Sequence, residues 1–125
     1  RDQGRQVLDA LGLGRYAGVP AGQLPHGTRR LLEIGIALAG RPRLLLLDEP
    51  AAGLTEADLP RLLAALAALP GEQAVLLVEH HMDVVSAVAD TVTVLHHGRT
   101  LATGSPAAVA ADPAVTGVYL GGAAV

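Results

Sequence analysis

The 125 residues include no lysine and no cysteine. Without cysteine there is no disulfide framework and no thiolate metal site, a composition compatible with a reducing cytosol. Without lysine all nine basic residues are arginine, so no motif that depends on a lysine ammonium is present. Runs of basic charge are missing too: 12 acidic residues against nine basic ones leave a net charge of −3. That balance gives no support for a nucleic-acid partner or for direct binding to an anionic membrane. Nor is there a long apolar run. The stretch "LLAALAAL" falls well short of the roughly 20 residues of a membrane span, and the start "RDQGRQ" lacks the shape of a signal peptide. The chain is not expected to cross a membrane itself.

What is present suits one soluble globular domain, or part of one, with a moderate core: half the residues are apolar and 17% are charged. No internal repeat and no low-complexity linker interrupts it. "DQGRQVLDALGLG" carries Val7, Leu8 and Leu11 at helical spacing and predicts a short helix stopped by glycine, followed by a loop over "RYAGVPAGQ". A largely buried helix is expected from about Pro25 to Ala39, ending at Gly40. "TEADLPRLLAALAALPG" predicts another, entered at Thr55 or Asp58, with Asp58 and Arg61 as solvated residues; Pro60 is comfortable only in its first turn. A helix from about Met82 to Ala89 would turn Val84, Val85 and Val88 inward. "TVTVL" and "RTLATG" around "HHG" predict a hairpin with Gly98 in its turn. Two short helical pieces near "SPAAVAA" and "PAVTGVYLG" close the chain, with Tyr119 and Leu120 burying a face and the terminal "GGAAV" frayed.

Between Leu44 and Pro50 the chain reads "LLLLDEP", and a second apolar strand follows at "QAVLLVE". Four consecutive leucines describe a strand buried on both faces. Strand, helix, strand from Leu44 through Glu79 forms a βαβ unit with parallel strands and a right-handed crossover. Asp48 and Glu49 therefore emerge at the same carboxyl edge as Glu79 and His80, the edge at which open α/β sheets bind ligands. Burying a charge costs several kcal/mol on an order-of-magnitude scale. These carboxylates thus belong outside the leucine core, presented to something cationic, most simply Mg²⁺ or a reacting water.

Several segments together resemble the ATP-binding cassette (ABC) ATPases. "LLLLDEP" looks like a Walker B strand followed by a catalytic glutamate, "LPHGTRRLLEIGIALA" like a signature motif and its helix, "AAGL" like a D-loop, and "LLVEHHMD" like a switch-histidine segment. "LPHG", "DEPAAGL", "VEHHMDVV", "VLHHGR" and the ending "GSPAAVAADPAVTGVYLG" are similar to the ATP-binding subunits of branched-chain amino acid and urea importers. The resemblance implies a P-loop NTPase-like (RecA-like) α/β fold, a parallel sheet flanked by helices. It implies ATP and Mg²⁺ as ligands, with Asp48 holding Mg²⁺ through water, Glu49 polarising the attacking water and His80 contacting the γ-phosphate. Pro25, His26, Gly27 and Thr28 occupy the signature positions, where a helix N-terminus faces the nucleotide of a partner subunit. Gly53 falls in the D-loop. The implied partners are a second ATP-binding subunit, identical or different, and transmembrane permease subunits. The protein would then be cytoplasmic, peripheral on the inner face of the cell membrane, and held there only through the permease.

The sequence departs from that family in two places. The usual Leu-Ser-Gly-Gly-Gln is Leu24-Pro25-His26-Gly27-Thr28, so the serine hydroxyl is missing and proline has no N–H to donate; His26 is the substitute donor at hand. The phosphate loop G-x-x-x-x-G-K-S/T is absent with its lysine. "GLGRYAG" follows a helix rather than a strand and reads as turn chemistry. The fold is therefore expected to be incomplete: a carboxyl-terminal half lacking the strand that the family places between "AVLLVE" and "TVTVL", and inactive as an isolated chain. Residues 1–40 would be part of the helical subdomain, 41–104 the Walker B, D-loop and switch-histidine core, and 105–125 a tail.

Simpler readings compete at each position. Asp-Glu-Pro after a strand is by itself often a polar turn, a lone end-of-strand histidine is more often hydrogen-bonded than catalytic, and His81, His96 and His97 read as surface or turn residues. Two other classes of function are open: a non-catalytic interaction module, and a metal-dependent hydrolase built from Asp48, Glu49, His80, His81 and Asp83. The second is disfavoured because vicinal histidines at a strand-to-helix junction usually point apart and no H-E-x-x-H spacing occurs.

Overall fold

A computed structural model of the chain describes residues 2–119. They form two compact units, divided between His81 and Met82.

The first unit begins with helix α1 (Asp2–Ala10). Its stop is built by Gly12 in the left-handed region (φ 68°), with Gly12 N–H donating to Asp9 C=O at 3.0 Å and Leu13 N–H to Leu8 C=O at 2.7 Å. This is the paired bond pattern of a glycine-terminated helix, and it turns Leu11 and Leu13 into the core. Two single 3₁₀ turns, Gly14–Tyr16 and Ala21–Gln23, occupy the expected loop. Helix α2 (His26–Ala39) follows, capped by Pro25 and closed at Gly40. Strand β1 (Leu44–Asp48), helix α3 (Leu59–Ala67) and strand β2 (Ala74–Val78) form the expected βαβ unit. Pro60 falls in the first turn of α3, where no intrahelical N–H is lost. β1 and β2 pair in parallel, with Leu45 opposite Val75 and Asp48 opposite Val78. The core gathers Leu11, Leu13, Leu24, Leu31, Ile34, Leu45, Leu47, Leu62 and Leu66.

The structure corrects the expectation that both strands are buried on both faces. Leu45 and Leu47 point into the core, but Leu44, Leu46, Leu76 and Val78 are exposed, Leu46 at 64%. Alternation along a strand sends successive side chains to opposite faces, and helices cover only one face of this sheet. α2 is likewise only half-buried, since Ile36 faces solvent at 67% exposure.

The second unit contains α4 (Met82–Val88), the hairpin β3 (Val92–His96) and β4 (Arg99–Gly104), and helices α5 (Pro106–Ala111) and α6 (Pro113–Tyr119). The hairpin is antiparallel and turns on two residues, His97 (φ 48°) and Gly98 (φ 72°), the double positive φ that matches strand twist. Val84 and Val85 of α4 are buried and Val88 is half-buried, as the helical spacing requires. Val94, Val109 and Val115 form the core of the unit, and Val92, Leu101 and Ala102 pack against it. Ser105 caps α5 by accepting the Ala108 N–H at 3.1 Å. Tyr119 is 43% exposed, so Val109 and Val115, not Tyr119, bury the tail's apolar face. Leu120 and the expected fraying of "GGAAV" lie outside the described residues. Among the described residues each unit holds one two-stranded sheet.

Core and open face predict opposite mutational responses. Leu62→Ala, at a fully buried position, should lower the unfolding free energy by about 2–5 kcal/mol in a urea titration. Leu46→Ser, on the open face, should change it by less than about 1 kcal/mol and reduce self-association measured by light scattering.

Candidate active site at the carboxyl edge of the parallel strands

The last pair of the parallel ladder, Asp48 opposite Val78, brings both strand ends to one edge. Glu49 N–H donates to Val78 C=O at 2.7 Å, which locks the first residue beyond β1 to β2. There Glu49 adopts φ 46°, a left-handed conformation that costs a non-glycine residue about 1–2 kcal/mol. The turn bends Glu49 toward β2, and its Oε1 sits 3.2 Å from His80 Nδ1. Both side chains are about half exposed, at 52% and 59%. Asp48 stands on the open face of the sheet with Leu44 and Leu46, its carboxylate making no hydrogen bond or ion pair among the described residues. An exposed, unpaired carboxylate is an apt single anchor for a hydrated Mg²⁺ ion, which keeps most of its waters.

Glu79 has a different task. Its side chain is completely buried. Oε1 accepts the N–H groups of His80 (2.9 Å) and His81 (3.3 Å), and Oε2 accepts the Ala51 N–H at 3.4 Å. One carboxylate thereby ties the turn after β1 to the turn after β2. Sequence reasoning placed Glu79 at this edge without a role, and its position between apolar Val78 and the histidines is the only signal that it turns inward. Arg30 was also missed. From α2 its Nη2 donates to the carbonyls of Asp48 (3.2 Å) and Glu49 (3.3 Å), and its Nη1 meets Glu33 at 3.4 Å. It fastens α2 to the strained turn.

The residues that resemble a signature motif and a D-loop meet elsewhere in the same unit. Pro25 adopts an extended conformation before α2, and the first helical bond runs from Arg29 N–H to Pro25 C=O at 2.9 Å. The N–H groups of His26, Gly27 and Thr28 precede that bond and are left free by the helix. Gly27 is buried against Asp58, and any Cβ there would collide with the Asp58 carboxylate. Gly53 has φ 76°, and a Cβ there would lie 2.6 Å from His26 Nε2. Gly53 is thus required twice, by conformation and by space. Thr28 is buried as well. A cleft of about 290 Å³ opens beside this turn, lined by His26, Arg29, Arg30, Glu33, Ala52 and Gly53.

Two sequence expectations need correcting here. Asp58 is not solvated: it is only 8% exposed and accepts the Thr55 hydroxyl at 2.8 Å, filling the space that Gly27 leaves. His80 and His81 do not point apart, for their ring centroids lie 4.2 Å from each other. His97 is in the hairpin turn and His96 at the end of β3, in the second unit with Asp83.

The family described as branched-chain amino acid ATP-binding cassette transporter matches residues 99–125. The high-affinity branched-chain amino acid transport ATP-binding protein BraF of Pseudomonas aeruginosa is 41% identical over 116 residues, a match covering 91% of this chain and 46% of that protein. LivG of Escherichia coli, with the same description, is 36% identical over 122 residues, covering 96% of this chain and 48% of LivG. The ADP conformation of MJ1267, an ATP-binding cassette of an ABC transporter, superposes with a TM-score of 0.79 at 29% identity, over 96% of this chain and 49% of that one. The chain belongs to the ATP-binding cassette family. It spans about half the length of the curated relatives it matches. In this cassette chain the parallel βαβ unit and helix α2 before it are both present, and the 125 residues hold no lysine. No helix among its described residues is long and apolar enough to cross a membrane.

Burial of Glu79 makes it the structural carboxylate of the edge. Glu79→Ala strands the N–H groups of Ala51, His80 and His81, and should lower stability by about 1–3 kcal/mol, measured by urea unfolding, whereas Glu49→Ala should relieve backbone strain no more than any other non-glycine residue and leave stability within about 1 kcal/mol.

Proposed function

We propose that this chain is the carboxyl-terminal half of an ATP-binding subunit that energises import of branched-chain amino acids, or a similar small solute, by an ABC transporter. The observation that carries the reading is the Glu49–His80 contact of 3.2 Å at the carboxyl edge of two parallel strands, in a chain whose relatives BraF and LivG are described as branched-chain amino acid transport ATP-binding proteins.

In this reading residues 1–40 belong to the helical subdomain, 41–104 to the Walker B, D-loop and switch-histidine core, and 105–125 to the tail. The remainder of the cassette supplies the phosphate loop and covers the exposed face of Leu44, Leu46, Leu76 and Val78. Glu49 accepts a hydrogen bond from the attacking water and polarises it. His80, whose Nδ1 lies against that carboxylate, contacts the γ-phosphate and positions the attack. Asp48 holds Mg²⁺ through water, and the ion when bound neutralises charge on the phosphates. After Pro25, which sets the extended entry to α2, His26, Gly27 and Thr28 present the free N–H groups of the helix to the nucleotide of a second ATP-binding subunit, and Gly53 lets the D-loop pack beside them. Permease subunits hold the assembly at the inner face of the cell membrane and, with other components, read the transported solute.

The open apolar face also suits a second reading, a non-catalytic module that docks on a partner. One variant separates the two. In the complete transporter Glu49→Gln should cut ATP turnover by at least about 10²-fold with nucleotide binding retained. Unchanged turnover would favour the docking module. The 125-residue chain alone should show no steady-state ATPase, and activity abolished by Glu49→Gln would overturn that expectation.

A further inference from the structure

We propose that the carboxyl edge of β1 and β2 is also a site for a transition-metal cation of the Zn²⁺ class, held by His80, His81 and Glu79. The placement of the two rings carries the proposal. Neighbouring residues of an extended chain point to opposite sides, yet the His80 and His81 centroids are 4.2 Å apart with planes tilted by 36°. The chain bends here because both N–H groups turn onto Glu79 Oε1. A ring nitrogen from each histidine and a carboxylate oxygen of Glu79 lie within 4.8 Å of one another.

One donor pair already has the spacing of a tetrahedral ion. Bonds of about 2.0–2.2 Å to Zn²⁺ set neighbouring donors about 3.3–3.6 Å apart. His80 Nδ1 lies 3.6 Å from Glu79 Oε1. The exposed His81 ring closes the remaining gap by rotating about its side-chain torsions. Imidazole nitrogens favour Zn²⁺ over Mg²⁺, which takes oxygen ligands. A second histidine pair, His96 and His97, has centroids 4.0 Å apart. Among the described residues no carboxylate completes a group there.

Binding of this cation needs no nucleotide and does not rest on ATP hydrolysis. If the proposed hydrolysis also holds, a bound Zn²⁺ withdraws His80 from Glu49 and from the phosphate, and acts as an inhibitor.

The test is a Zn²⁺ titration of the protein against a chromophoric chelator in excess Mg²⁺, for the wild type, His81→Ala, His80→Ala and the double variant His96→Ala/His97→Ala. The expected result is one Zn²⁺ per chain that survives Mg²⁺, is weakened at least about tenfold by either His80→Ala or His81→Ala, and is unchanged in the hairpin variant. Affinity indifferent to His81→Ala, or lost only in the hairpin variant, overturns the proposal. Ring-nitrogen NMR of the wild type tests the site without any substitution: shifts at His80 and His81 on adding Zn²⁺ support it, and shifts confined to other histidines overturn it.

Discussion

The buried carboxylate of Glu79 is the constraint on which the carboxyl edge depends. A fully buried charge is tolerable only when its oxygens are satisfied, and Glu79 meets that condition with N–H groups from both turns of the edge. Those bonds decide where His80 and His81 stand. The ladder bond from Glu49 to Val78 does the same for the opposite turn. Together they bring a half-exposed carboxylate against a half-exposed imidazole, two groups that the chain separates by 31 positions. The two glutamates of the edge thereby differ: Glu79 is buried and holds the turns, while Glu49 is half exposed beside His80.

The second cluster is organised by the absence of side chains. Gly27 leaves room for the Asp58 carboxylate and Gly53 for the His26 ring, so the N-terminus of α2 and the loop after β1 approach more closely than any residue with a Cβ would permit. Arg30 links this cluster to the carboxyl edge through the carbonyls of Asp48 and Glu49. Pro25 is compatible with that geometry, since it needs only the extended conformation found before the helix. A change in the tilt of α2 would be felt directly in the strained turn that carries Glu49.

The parallel sheet is the least self-sufficient part of the chain. Its two strands bury one face and expose leucine and valine on the other, although their sequence is that of strands covered on both sides. The curated relatives are about twice as long as this chain, and in the proposed reading the rest of the cassette lies on that face. Such an apolar surface would otherwise favour association with other chains.

Local structure was legible in the sequence because its causes are local. Gly12 stops α1, Gly98 turns the hairpin, Ser105 caps α5, and Pro60 tolerates only the first turn of α3; each acts within a few residues. The parallel pairing that a βαβ connection imposes then placed Asp48, Glu49, Glu79 and His80 at one edge without any knowledge of packing. Which of these acids is buried was not legible, because burial depends on segments far away in the chain. The same holds for Asp58 beneath Gly27, for Arg30 reaching the carbonyls after β1, for the open side of the four leucines, and for two adjacent histidines on one side of the chain. Propensity and periodicity report where a side chain starts. Only the tertiary structure decides what meets it there.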